Sequence, residues 1–166
     1  MSDISKQELK TTTIQIHAKD IYKTKDINGL IKFHLKKQME NVCGKYGYVL
    51  ENSISIVKRS IGKIVTHNGL SNIEYNITYK MDSILPCKGD IYDAVVDSVT
   101  KMGLISYLKL DSQKLDSVKE SPLLIIVPQM YLDKELDSYS KGQNIKVEVL
   151  DKRVKYRAKQ IQVVGK

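Results

Sequence analysis

Three groups of residues in this chain have side chains that could do chemistry. His17, His34 and His67 could ligate a metal or act as bases, Asp90, Asp93 and Asp97 could hold a hard cation, and the run from Lys152 to Lys159 could bind phosphates. Spacing separates them. The histidines fall on a predicted strand end, a helix face and a turn, with no partner spacing for zinc ligation or for a nucleophile–base pair. Asp90 and Asp93 face opposite sides of one predicted strand, and no glycine-containing calcium loop accompanies them. Asp93 and Asp97 read as an exposed strand edge. Gly44 to Tyr48 contains two glycines and a lysine but not the Gly-x-x-x-x-Gly-Lys-Ser/Thr pattern of a phosphate loop, so the glycines are expected to shape a turn. Cys43 and Cys87 stand alone, without a Cys-x-x-Cys or a neighbouring histidine, and read as buried free thiols. The expectation is therefore no catalytic residue, no metal, no cofactor and no enzyme.

The basic run is the strongest charge feature. From Lys141 to Lys166 there are eight Lys/Arg against Glu148 and Asp151, a net of +6, whereas residues 89–140 hold five Lys against nine acids, a net of −4. Lys152, Arg153, Lys155, Tyr156, Arg157 and Lys159 fall between the last two predicted strands. Basic side chains with an interleaved aromatic suit single-stranded RNA, since the cations neutralise phosphates and Tyr156 can stack on a base.

The elements that must position these residues are legible from patterning. The chain has 166 residues, 42% of them apolar and 28% charged, with a formal net charge of +8, which fits one ordinary domain or two small ones and favours an anionic partner. No stretch reaches the length of a membrane-spanning helix, and the polar N-terminus reads as an intracellular start without a signal segment. A Pro86 to Gly89 punctuation divides the chain into lobes at 1–84 and 85–166. In the first, Leu9–His17 reads as a strand. Ile27, Leu30, Ile31, Leu35 and Met39 repeat at helical spacing after Asn28 as N-cap, and 46–50, 54–56 and 61–66 read as strands. Asn68-Gly69 turns the chain into Ile73, Tyr75, Ile77 and Tyr79 at period two, a half-buried strand. In the second lobe, strands at 90–99, 104–110, 123–127, 145–150 and 160–164 give the five of an OB-type barrel, with a helical turn from Pro128 to Asp133. The fold class is α+β, a helix on an antiparallel sheet followed by an OB-type barrel. In such barrels the loop between the last two strands binds nucleic acid.

Several segments carry a family resemblance. Gly44-Lys45-Tyr46-Gly47-Tyr48-Val49-Leu50, Gly62-Lys63-Ile64-Val65, Asn68-Gly69, Tyr75 to Lys80, Pro86 to Asp90 and Ile91 to Val96 follow in an order that resembles the seventh subunit of eukaryotic RNA polymerase II and its counterpart in the archaeal polymerase. Ile145 to Val149 and Ile161 to Gly165 also fit, and the likeness is weakest in residues 1–12 and 110–122. The resemblance implies a non-catalytic stalk subunit of a DNA-dependent RNA polymerase. A tip lobe docks on the largest subunit beside the clamp, an S1-like OB lobe meets nascent RNA, and a fourth-subunit-like partner completes the stalk, dispensable in a virus-encoded or reduced enzyme. It places Lys45, Tyr46, Lys63, Thr66, His67 and Asn68 at the docking tip. Localisation follows the polymerase: the nucleus for a cellular enzyme, a cytoplasmic viral factory or virion for a viral one. The short, Lys/Ile/Asn-rich sequence resembles versions that large DNA viruses encode.

One departure bears on RNA binding. Barrels of this type place aromatics around the glycine after the first strand, where this chain reads Lys101-Met102-Gly103-Leu104-Ile105. Met102 and Ile105 are expected to pack inward, leaving Lys101, Tyr107 and Lys109 as contacts and making RNA binding electrostatic and salt-dependent. The rival reading is a free-standing OB-fold RNA-binding protein of translation or RNA processing.

Overall fold

The computed structural model describes residues 4–110 and 118–166. The described residues form two compact units, one of 5–40 with 49–83, the other of 41–48 with 84–110, 118–166 and Ile4.

The first unit is organised by one long strand. Its strands are β1 (Lys6–His17), β4 (Ser55–Arg59), β5 (Lys63–His67) and β6 (Leu70–Ile84), and its helices are α1 (Ala18–Lys23) and α2 (Ile27–Met39). β6 pairs with the whole length of β1, from Lys6↔Ser83 to His17↔Asn72, and also takes β4 at Ser55↔Lys80 and β5 at Lys63↔Glu74, all antiparallel. Its period-two pattern puts Tyr75, Ile77, Tyr79 and Met81 into the core with Ile31 and Leu35 of α2. Burying each such side chain is worth about 1.5–3 kcal/mol.

One local expectation is corrected here, and one short helix is added. The cap of α2 is Asp26, whose carboxylate accepts from the Gly29 N–H at 2.9 Å, because a short acceptor three residues upstream of that amide closes the turn. Asn28 lies inside the first turn and accepts from Arg59 Nε at 2.9 Å. The short helix α1 has no amphipathic repeat to announce it; His17 caps it, Nδ1 accepting from the Lys19 N–H at 3.1 Å.

The second unit is a closed barrel of β7 (Ile91–Thr100), β8 (Gly103–Leu108), β9 (Leu123–Pro128), β10 (Asn144–Arg153) and β11 (Ile161–Gly165). The order β10-β11-β9-β8-β7 closes through β7 against β10, with β9 and β11 parallel and the remaining pairs antiparallel. Ala94, Val96, Leu104, Leu108, Leu123, Ile125, Val127, Val147, Val149, Ile161 and Val163 fill the interior. Gly103 turns β7 into β8 at φ +143, where a Cβ would meet the Val127 carbonyl oxygen at 2.1 Å. The expected turn after Pro128 is a 3-10 turn, Gln129–Tyr131. The same unit carries a small hairpin made of β2 (Cys43–Gly44) and the start of β3 (Gly47–Val49), whose Gly47 and Tyr48 pair with Gly44 and Cys43. Gly47 is at φ +105, and a Cβ there would lie 2.3 Å from the Ile84 carbonyl oxygen, so the hairpin backbone seats directly on that chain.

Candidate functional site

The loop between β10 and β11 is an exposed basic surface on an ordered frame. Arg153 ends β10, and Lys155, Tyr156, Arg157 and Lys159 follow in the loop, all exposed, with Tyr156 at 78%. A turn at Arg157 (φ +60), closed by the Ala158 N–H on the Lys155 carbonyl at 3.1 Å, fans the cations outward. Gln160 Nε2 anchors the far side by donating to the carbonyls of Ser121, at 3.0 Å, and Val118. Arg153, Lys155 and Lys159 border a shallow depression of about 200 Å³ with Gln160 and Gln162. Lys152 behaves differently. It lies within β10, half-buried, and its ammonium donates to the Pro86 carbonyl.

The loop is also tied to the hairpin. The Cys43 N–H donates to the Ala158 carbonyl at 2.7 Å, and the Cys43 carbonyl accepts from the Arg157 N–H at 2.8 Å. Cys43 itself is buried, and burial pushes its thiol up to about 11. Cys87, expected to be buried, is exposed, because it sits in the polar turn that Asp90 caps.

The remaining basic candidates do not form one surface. Gly103 pairs with Pro128 and Tyr107 with Leu124, so Lys101 stands at one end of β9 and Lys109 at the other, about 16 Å apart along that strand. Lys109 shares its end with the basic loop, since Ile161 pairs with Leu123 there. Tyr107 is only 7% exposed, so its ring is not offered to a base. Met102 reverses the expectation in the other sense: at 85% exposure it stands out from the turn, because the tight Gly103 reversal puts Leu104 inside instead. Ile105 is half-buried.

Two of the three aspartates are engaged within the fold. Asp90 accepts from the Cys87 N–H at 2.7 Å and from the Tyr92 hydroxyl at 3.4 Å, and burial with that carboxylate pushes the Tyr92 phenol upward. Asp93 is exposed, whereas Asp97 is half-buried and pairs with Lys141 at 3.7 Å. His34 meets Phe33 edge-on at 5.9 Å. Among the described residues no group of His, Cys, Asp and Glu is placed to hold a metal, and no helix is long and apolar enough to cross a membrane.

The six expected docking residues fall in different units. Lys63, Thr66 and His67 lie exposed on β5, and Asn68 (φ +50) with Gly69 (φ +75) forms its turn into β6. Lys45 and Tyr46 occupy the β2–β3 turn, with the ammonium 5.6 Å from the ring centroid. Sequence reasoning missed the apolar component beside β5. Ile61, 93% exposed, and Ile64 border a groove of about 560 Å³ floored by Ile73 and Tyr75. The available signal was Ile61 wedged between Ser60 and Gly62, where a strand would not hide it.

No family model matches the chain. Among curated proteins it is similar to "DNA-directed RNA polymerase II subunit rpb7" of Schizosaccharomyces pombe, with 29% identity over 103 residues, 59% of this chain and 57% of that protein. It is also similar to the Dictyostelium discoideum protein of the same name, with 32% identity over 73 residues, 43% of this chain and 41% of that one. The chain is rpb7-like in sequence. The matches span about half the length of these relatives. The resemblance read from the ordered segments is thus met by the rpb7 matches, and the closed five-stranded barrel agrees with the OB-type fold it implied.

Proposed function

We propose that the chain is a non-catalytic stalk subunit of a multisubunit DNA-dependent RNA polymerase, docking through one unit and holding nascent RNA with the other. Similarity to rpb7 supports the assembly. The observation that carries the mechanism is the β10–β11 loop, where Arg153, Lys155, Tyr156, Arg157 and Lys159 stand exposed on an OB-order barrel. Loops at this position serve OB folds as nucleic-acid contacts, and cations here release counterions from an RNA backbone without reading its sequence.

On this reading the β5–β6 hairpin is the docking end. Lys63, Thr66, His67 and Asn68 supply a polar rim and the Ile61–Ile64 groove an apolar centre, the arrangement by which protein interfaces exclude water from a few anchors. The core surface it meets belongs to the largest subunit near the clamp, a fourth-subunit-like partner completes the stalk, and the chain works wherever its polymerase does. The test is an affinity pull-down of the tagged chain from its native source after nuclease treatment. Near-equal recovery of the large polymerase subunits supports the proposal; recovery of only RNA-associated proteins that vanish with nuclease overturns it.

A further inference from the structure

The β2–β3 hairpin is bound to the basic loop by main-chain hydrogen bonds on both sides of one residue. Cys43 donates to Ala158 and accepts from Arg157, at 2.7 and 2.8 Å, so two main-chain bonds hold the hairpin against the turn of the loop. Lys45 lies two residues beyond Cys43, so its Cα is within about 7 Å of that of Cys43 along an extended chain. Gly47 against the Ile84 carbonyl and the Tyr48 hydroxyl donating to Asn41 Oδ1 at 3.2 Å fix the turn on the same unit as the loop. The turn therefore presents Lys45 and Tyr46 beside Arg157.

The geometry points to Lys45 and Tyr46 as part of the single-stranded RNA surface of the barrel, with Tyr46 as a second base-stacking ring beside Tyr156. This rests on the proposed RNA contact of the β10–β11 loop. Two features favour RNA over a protein partner at this turn. Tyr46 is 38% exposed with a lysine ammonium over its ring, the combination of stacking face and phosphate-neutralising charge that single-strand grooves use. The surface it joins carries Arg153, Lys155, Arg157 and Lys159 with no exposed carboxylate among 152–160. The first-strand turn, at the other end of β9, offers exposed Met102 and no aromatic ring, so the exposed rings this surface offers a base, Tyr46 and Tyr156, lie at the loop end.

The test is fluorescence anisotropy of the full chain with a short labelled oligouridylate over a salt series, with Tyr46→Ala, Tyr46→Phe, Lys45→Ala and a Lys155→Ala/Arg157→Ala control, each checked for fold by circular dichroism. Tyr46→Ala should weaken binding about fivefold or more, and Tyr46→Phe should restore it, because a phenyl ring still stacks. Lys45→Ala should lower the salt slope by about 0.7. If the loop control loses binding while the Lys45 and Tyr46 variants match wild type, the hairpin assignment is overturned and the loop reading survives. The hairpin assignment also falls if those variants bind RNA normally but lose retention by polymerase, which would make the turn a protein contact. If wild type shows no salt-sensitive RNA binding, the loop reading fails and takes the hairpin with it.

Discussion

The Arg59 guanidinium lies over the Tyr75 ring, 5.4 Å from its centroid, while its Nε reaches across to Asn28 at the start of α2. One side chain thus joins β4, β6 and the helix at the rim of the apolar groove. Gly62 completes the wall, since a Cβ there would meet Ile73 Cγ2 at 2.6 Å and Tyr75 Cε1 at 2.9 Å. The groove exists because residue 62 has no side chain and Arg59 holds the ring in place.

If this groove is the docking centre, its exposed isoleucines are anchors that folding does not need. Ile61→Asp with Ile64→Asp should leave stability within about 0.5 kcal/mol of wild type, as exposed substitutions do. Retention by polymerase should fall about tenfold or more, the loss of a central interface anchor. Urea unfolding and the pull-down check the two halves; unchanged retention would remove the groove from the interface.

Much of this architecture was legible because it is periodic. Tyr75, Ile77 and Tyr79 alternate, Ile31 and Leu35 repeat at helical spacing, and the five barrel strands are bounded by turn residues, so element types and the OB order could be read from local pattern. The basic loop was legible for the same reason. What local pattern could not supply was long-range placement. Nothing near Cys43 announces that its main chain pairs with Arg157 and Ala158, and nothing near Tyr107 shows that its ring is covered. Ile61 was read as a strand residue because its type fits one, whereas it lies in the connection between β4 and β5, outside both strands, and is exposed there.

Gly103 should be the least replaceable glycine of the barrel. Its φ of +143 disfavours any Cβ, and the clash at 2.1 Å is with the Val127 backbone, which cannot swing away as a side chain would. Gly103→Ala should cost about 3 kcal/mol or more in urea unfolding. Gly142→Ala also pays for a positive φ, +87, but meets nothing within 4 Å, and should cost less. Equal costs would show that the close approach contributes nothing.

The two cysteines should separate by reactivity and by pH. Iodoacetamide should alkylate exposed Cys87 in the native protein and reach buried Cys43 only on unfolding, as peptide mass mapping would show. Burial raises the Cys43 thiol from its ordinary 9.0 to about 11 in the folded chain. The unfolded chain therefore releases that proton first, and the contribution is fully present below pH 9 and is lost as pH rises from 9 towards 11. Cys43→Ala should flatten this part of the stability profile; an unchanged slope would show that Cys43 is not its source.

Lys152 tests whether charge or position governs RNA contact. It lies in the same basic run as its neighbours, yet its ammonium is engaged by the Pro86 carbonyl and half-buried, whereas Arg153 and Lys155 are exposed. If the loop binds RNA through phosphates, Arg153→Ala and Lys155→Ala should each lower the salt slope by about 0.7, because each removes one released counterion. Lys152→Ala should leave that slope unchanged and instead lower the midpoint of thermal unfolding, since it deprives a carbonyl of its donor. Anisotropy over a salt series and a melting curve decide the matter. Equal slope changes for all three would mean that the run acts as a diffuse cloud of charge, with the geometry of the loop irrelevant to binding.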